Sequence, residues 1–164
     1  MTSSKIRLAF AAFLLPALLT GQSATKPKAK ASRAGQALSI KYEDAKWQPI
    51  IPELGDASPQ IAILRVDPRT HATQLLIRVP KQMHVPLHWH SGNETHTIIR
   101  GEATFAHGNK REQLGPGGFN YIPAKMKHEA WVGDDSLVFI TADSAWDVHW
   151  VNGAPTKADL GKTP

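Results

Sequence analysis

Between Leu38 and Trp150 the apolar positions come in short runs, and none keeps a 3.6-residue period beyond two turns. Ile61–Val66 reads IAILRV and closes at Asp67-Pro68. Gln74–Val79 closes at Pro80, and Glu94–Ile99 (ETHTII) closes at Arg100-Gly101, with Glu102–Ala106 following at once. The turn Gly115-Pro116-Gly117-Gly118 precedes Phe119–Ile122. Glu129–Val132 and Leu137–Ala142 flank Gly133-Asp134-Asp135-Ser136, which reads as a hairpin turn. Trp146–Val151 is expected to be a last strand, and residues 152–164 a loose tail. Strands recurring every ~8–12 residues predict an all-β sandwich or small barrel.

Composition narrows this picture. The 164 residues suit one domain, 41% hydrophobic content supports a packed core, and 12 Gly with 12 Pro favour turns over a helical bundle. There is no Cys, which excludes disulfides, thiolate metal sites and a thiol nucleophile.

The N-terminus carries a different signal. Lys5 and Arg7 precede the apolar run Leu8–Leu19, and Thr20-Gly21-Gln22-Ser23-Ala24 follows. This is the pattern of a secretory signal peptide over residues 1–23, with cleavage between 21 and 24; an uncleaved anchor is the alternative. The run is too short to span ~30 Å of hydrocarbon, so no stable membrane span is expected after processing. Residues 24–37, rich in Lys, Ala, Ser and Pro, read as a flexible linker, and the remainder is expected to be secreted or periplasmic. The net charge of +5 rests on this end: residues 1–33 hold six basic residues and no acid, leaving 13 basic and 14 acidic residues beyond. A folded part near neutrality argues against a nucleic-acid partner.

The chemistry lies in the histidines. Four of the eight fall in His84-Val-Pro-Leu-His88-Trp-His90-Ser-Gly-Asn-Glu94-Thr-His96. Strand alternation points His88 and His90 the same way, and the turn Ser91-Gly92-Asn93 swings Glu94 onto the next strand, facing the same pocket. Two imidazoles and a carboxylate are a ligand set for a divalent first-row metal, and His128 is the candidate fourth ligand. Alternation also sends His96 inward beside Glu94. There it supports a ligand, orients a proton, ligates the metal itself, or is simply a core histidine bonded to a carbonyl. His84 is expected at the rim, His71, His107 and His149 in solvent, and Trp89 away from the metal. Phe119 and Tyr121 are taken as core or rim aromatics, with a lumen position as the alternative for Tyr121, which shares the parity of Phe119. Arg100, Lys125 and Lys127 are either solvated or placed to attract an anion.

These residues carry a resemblance. His88, His90, Glu94 and Gly101 match G-x5-H-x-H-x3-E-x6-G, with Gln82 in place of the leading Gly. Gly117, Pro123 and His128 match G-x5-P-x-G-x2-H-x3-N, with Lys125 and Val132 replacing its second Gly and its Asn. The two motifs, in order, resemble those of the cupin superfamily, and the likeness extends over roughly residues 40–155. The resemblance implies a double-stranded β-helix, a jelly-roll-like barrel, over 38–155, followed by a C-terminal tail at 156–164. It also implies one divalent transition metal held by His88, His90, Glu94 and His128. Iron, manganese or zinc is expected, with nickel or copper as alternatives. Oxygenase chemistry is the commonest enzymatic role in the family, and isomerase and lyase reactions occur on the same barrel. The function expected is thus an exported metallo-cupin acting on a small molecule, with His96 as its proton carrier. The alternative is a non-catalytic periplasmic metal- or ligand-sensing cupin. Pairing through edge strands predicts a homodimer.

Overall fold

The computed structural model of the chain describes residues 36–164, so the expected leader and most of the expected linker lie outside the described residues. Eleven strands are present among them: β1 (Gln48–Pro49), β2 (Gln60–Val66), β3 (Thr73–Val79), β4 (Met83–Trp89), β5 (Glu94–Arg100), β6 (Ala103–His107), β7 (Lys110–Leu114), β8 (Phe119–Ile122), β9 (His128–Val132), β10 (Ser136–Ala142) and β11 (His149–Trp150). They form two antiparallel sheets, ordered β1-β2-β3-β10-β5-β8 and β11-β4-β9-β6-β7, which close over one core as a jelly-roll-like barrel.

Alternation decides what faces inward. Along β5, Glu94, His96 and Ile98 are buried while Thr95 and Thr97 are half-exposed; along β9, His128, Ala130 and Val132 are buried while Glu129 and Trp131 look out. Leu75, Met83, Ile98 and Phe105 fill the centre. Phe119 and Tyr121 on β8 are exposed, so the lumen-facing residues of that strand are Asn120 and Ile122, and neither aromatic serves the core.

One turn differs from expectation. Gly133–Ser136 does not close a hairpin: β9 and β10 belong to different sheets. Gly101-Glu102 likewise carries the chain from β5 in one sheet to β6 in the other. The two crossovers run side by side, with Gly133 N donating to Glu102 O at 3.0 Å and the Ser136 hydroxyl bridging the Glu102 backbone. Gly101 permits the approach: its φ is +77°, and a Cβ there would stand 2.8 Å from Ser136 Cα. The second pair of crossovers, β4 to β5 and β8 to β9, lies together in the same way, tied by Lys125 N to His90 O (2.8 Å) and Ala124 N to Asn93 Oδ1 (2.9 Å).

One strand carried no apolar signal, and another is irregular. β7 (KREQL) is a charged edge strand paired with β6 across the Gly108-Asn109 turn, so it has no face to bury. β4 contains Pro86, which cannot donate to a ladder, and its pairing with β9 shifts register between Val85 and His88. Of the last expected strand only His149–Trp150 forms, pairing with Trp89 and His88.

Residues 152–164 are ordered rather than loose. Met83 bridges Leu160, Gly161 N donates to Gln82 O at 2.7 Å, and Thr156 caps a 3₁₀ turn over Lys157–Asp159. Polar bonds to backbone hold this strap, which is why no hydrophobic period announced it. Asp159 is its anchor, accepting from Lys162 Nζ (2.9 Å), Thr156 N (2.8 Å) and Thr156 Oγ1 (3.1 Å). Burial works against the ionised carboxyl, but Lys162 and Thr156 outweigh it and hold the pKa at about 2. A depressed folded pKa contributes stability above the ordinary value of 3.8, which is lost as pH falls toward about 2. Because half of Lys162 is in solvent, the contribution is about 1–2 kcal/mol. Asp159→Asn should therefore lower urea-unfolding stability by that amount at pH 7. It should also flatten the acid limb between pH 4 and 2 relative to the parent; parallel limbs would discard this role.

Candidate metal centre

The site sits at the end of the barrel where β4 passes to β5 and β8 to β9. His88 lies one residue before the end of β4, His90 follows the strand, Glu94 and His96 lie in the turn-proximal half of β5, and His128 opens β9. The bulge at Pro86 sets His88 directly opposite His128, with ring centroids 4.1 Å apart. The connecting turn is fixed from both sides. Asn93 N and Nδ2 donate to the Asp143 carboxylate, and a Cβ on Gly92 would lie within 2.7 Å of Asp143 Oδ1. Lys125 holds φ +65° while its N–H bonds His90 O, which accounts for a glycine at this position in the second motif.

His88, His90 and His128 are buried and each offers a ring nitrogen within 4.8 Å of the other two. Their other nitrogens are already committed. His88 Nδ1–H donates to Pro86 O (2.7 Å), His128 Nδ1–H to Met126 O (3.1 Å), and His90 Nδ1–H to Asp147 O. A carbonyl only accepts, so each ring carries its proton on Nδ1 and turns Nε2 toward the others, the arrangement that metal-ligating histidines adopt. Burial, reinforced at His88 by the neighbouring His128, pushes His88 down to about 3; burial pushes His128 down to about 4. Both are therefore neutral, with free lone pairs, at any physiological pH. His90 differs: burial opposes its charge, but Glu94 more than compensates and raises its pKa.

Glu94 stands beside this trio and outside the 4.8 Å grouping. Trp146 Nε1–H donates to its Oε1 at 2.7 Å, drawing the carboxylate to the β5 side. Its Oε2 lies 3.0 Å from His90 Nε2 and 3.3 Å from His96 Nε2, with no hydrogen bond formed, and is fully buried. Burial disfavours this charge, yet His96 and His90 hold the carboxyl well below its usual range. With Nδ1 of His90 committed to Asp147, the Nε2 lone pair faces an anionic oxygen. Such a pair is stable only with a cation between its members, either a proton or a metal ion. The donor set thus fits a divalent metal on three imidazoles, with a carboxylate oxygen in reach.

His96 is buried, its Nδ1 has no partner, and its ring lies 4.8 Å from Phe105. That removes the reading of a core histidine bonded to a carbonyl. The remaining expectations resolve at the surface. Trp89 points away from the site and stacks on His149 at 3.9 Å. His84 lies half-buried on the outer face of β4, stacked 4.7 Å from Trp131 and 2.9 Å from Glu129. Arg100 is exposed and donates to Asp135 O, and Lys125 and Lys127 are exposed, so none of the three reaches the site. Trp146 and Asp147 are what sequence reasoning missed. They lie in an irregular segment whose only signal was apolar and polar residues near a strand end, and the contacts that matter are 52 and 57 residues away.

The family model for a cupin domain matches residues 75–143, the stretch that bears all five site residues. The chain carries a cupin domain and with it membership of the cupin superfamily. Solved structures with the same cupin fold include a putative acetylacetone dioxygenase from Methylibium petroleiphilum PM1, at 15% identity and TM-score 0.60, covering 76% of this chain and 89% of that one. The polyketide cyclase RemF from Streptomyces resistomycificus is similar at 17% identity and TM-score 0.55, covering 73% and 88%. KdgF from Halomonas sp. is similar at 17% identity and TM-score 0.55, covering 66% and 94%. At such identities the likeness is one of fold. None of the curated proteins matches the sequence.

Proposed function

We propose that this cupin is a metalloenzyme acting on a small molecule, exported by its N-terminal leader and working as a homodimer. The observation that carries the reading is the trio of imidazoles, each with its Nδ1 proton committed to a backbone carbonyl and its Nε2 facing the other two. Enzymes among the fold neighbours, a putative dioxygenase and a cyclase, support catalysis over sensing. His88, His90 and His128 would hold the ion, and Glu94, through the unpartnered Oε2, would complete the set. The ion, iron, manganese or zinc by the hardness of a carboxylate-bearing site, supplies Lewis-acid or oxygen-activating chemistry when bound. The protein's own part is to hold three imidazole donors, to orient Glu94 through Trp146, and to keep the site among apolar walls. His96, 3.3 Å from Glu94 Oε2 and with a free Nδ1, holds or moves a proton beside the open face.

The test is twofold. Protein loaded in turn with Fe(II), Mn(II) and Zn(II) is incubated with a small-molecule extract of its own cell; metal-dependent loss of a compound identifies an enzyme. Saturable binding without turnover identifies the sensing alternative. His96→Phe should keep the wild-type metal content while lowering turnover about 100-fold or more, the usual contribution of a positioned acid or base. If metal is lost with it, His96 is a ligand instead.

A further inference from the structure

Beside the imidazoles lies a cavity of about 100 Å³. A water needs ~10–15 Å³ of such space, so the cavity takes a ligand of about seven to ten non-hydrogen atoms. Its walls away from the metal centre are uniformly apolar, built from side chains such as Val85, Phe105, Val138, Ile140, Trp146 and Trp150. No lysine or arginine lines it, and its one carboxylate, Glu94, belongs to the metal centre. Arg100, Lys125 and Lys127, the cations within the motif region, are all exposed and none lines the cavity.

From this we infer the substrate class: an uncharged, compact molecule of about seven to ten heavy atoms, with one polar group at the histidine end and an apolar body. The inference rests on the metal-centred reading and adds to it. A charged tail entering these walls would leave its hydration shell with no group to replace it, whereas an apolar tail gains by leaving water. Carboxylated, phosphorylated and ammonium-bearing substrates are thereby rejected by the barrel itself, whatever the ion accepts at the other end.

The test holds the metal-binding head constant and varies the tail. 4-Propylimidazole, histamine and imidazole-4-acetate carry the same ring on a neutral, a cationic and an anionic arm. Each is titrated into Zn(II)-loaded full-length protein, followed by tryptophan fluorescence, since Trp146 and Trp150 line the cavity, and by thermal shift. The neutral compound should bind at least tenfold tighter than either charged one. Ala130→Leu, which fills the wall from β9, should weaken it at least tenfold while leaving metal content unchanged. Equal or tighter binding of a charged analogue overturns the inference, as does a series in which none binds. Failure of the metal reading looks different: it appears as equal metal content in the parent and His88→Ala, a measurement that involves no organic ligand.

Discussion

His128→Ala is expected to leave the protein with almost no bound metal, and His88→Ala to do the same. Each removes one of three donors from a group whose ring nitrogens lie within 4.8 Å of one another, leaving two imidazoles beside Glu94. Because the ion binds the folded barrel and not the unfolded chain, its loss also lowers stability. At free metal about 100–1,000 times Kd the deficit is about 3–4 kcal/mol. Elemental analysis of the purified proteins checks the first statement. Chelation checks the second: with metal removed from both, parent and variant should converge except for the packing lost with one ring. Unchanged metal content in both variants would sink the assignment of the centre.

The second large effect concerns Glu94. Glu94→Gln keeps the shape, abolishes the charge and places an amide against His90 and His96. Metal affinity should fall by about two orders of magnitude, because a neutral amide oxygen replaces an anion at the fourth position. Trp146→Phe probes the same oxygen pair from the far side. It keeps an aromatic ring but removes the pyrrole half of the indole, and with it the N–H that donates to Oε1 at 2.7 Å, so the carboxylate is freed to rotate. A loss of about tenfold in metal affinity, at unchanged fold by circular dichroism, is the expected result. Competition with a fluorescent chelator measures both. A full-affinity Glu94→Gln variant would leave the trio of histidines as the entire ligand set.

The sequence reading reached the site further than it reached the topology, for physical reasons. That His88 and His90 share a face was legible because a strand alternates with a period of two, whereas His128 was reached through the second motif of the resemblance. His96 followed from the same parity. Glu94's distance from the trio was not legible, because it depends on an indole 52 residues away that draws the carboxylate aside. The turn at Gly133 was correctly found and wrongly connected: local turn chemistry reports that the chain reverses, and not which sheet receives the next strand. β7 escaped because an exposed edge strand owes nothing to burial, and the C-terminal strap because hydrogen bonds to backbone leave no periodic trace.

That strap has a practical side for anyone shortening the protein. Pro155 is buried and forms part of the cavity wall, and Leu160 covers Met83 at the centre of the barrel. A truncation ending before Pro155 would therefore unroof the ligand chamber and expose a thioether to oxidants, whereas an affinity tag appended after Pro164 would trail from exposed residues and leave both intact.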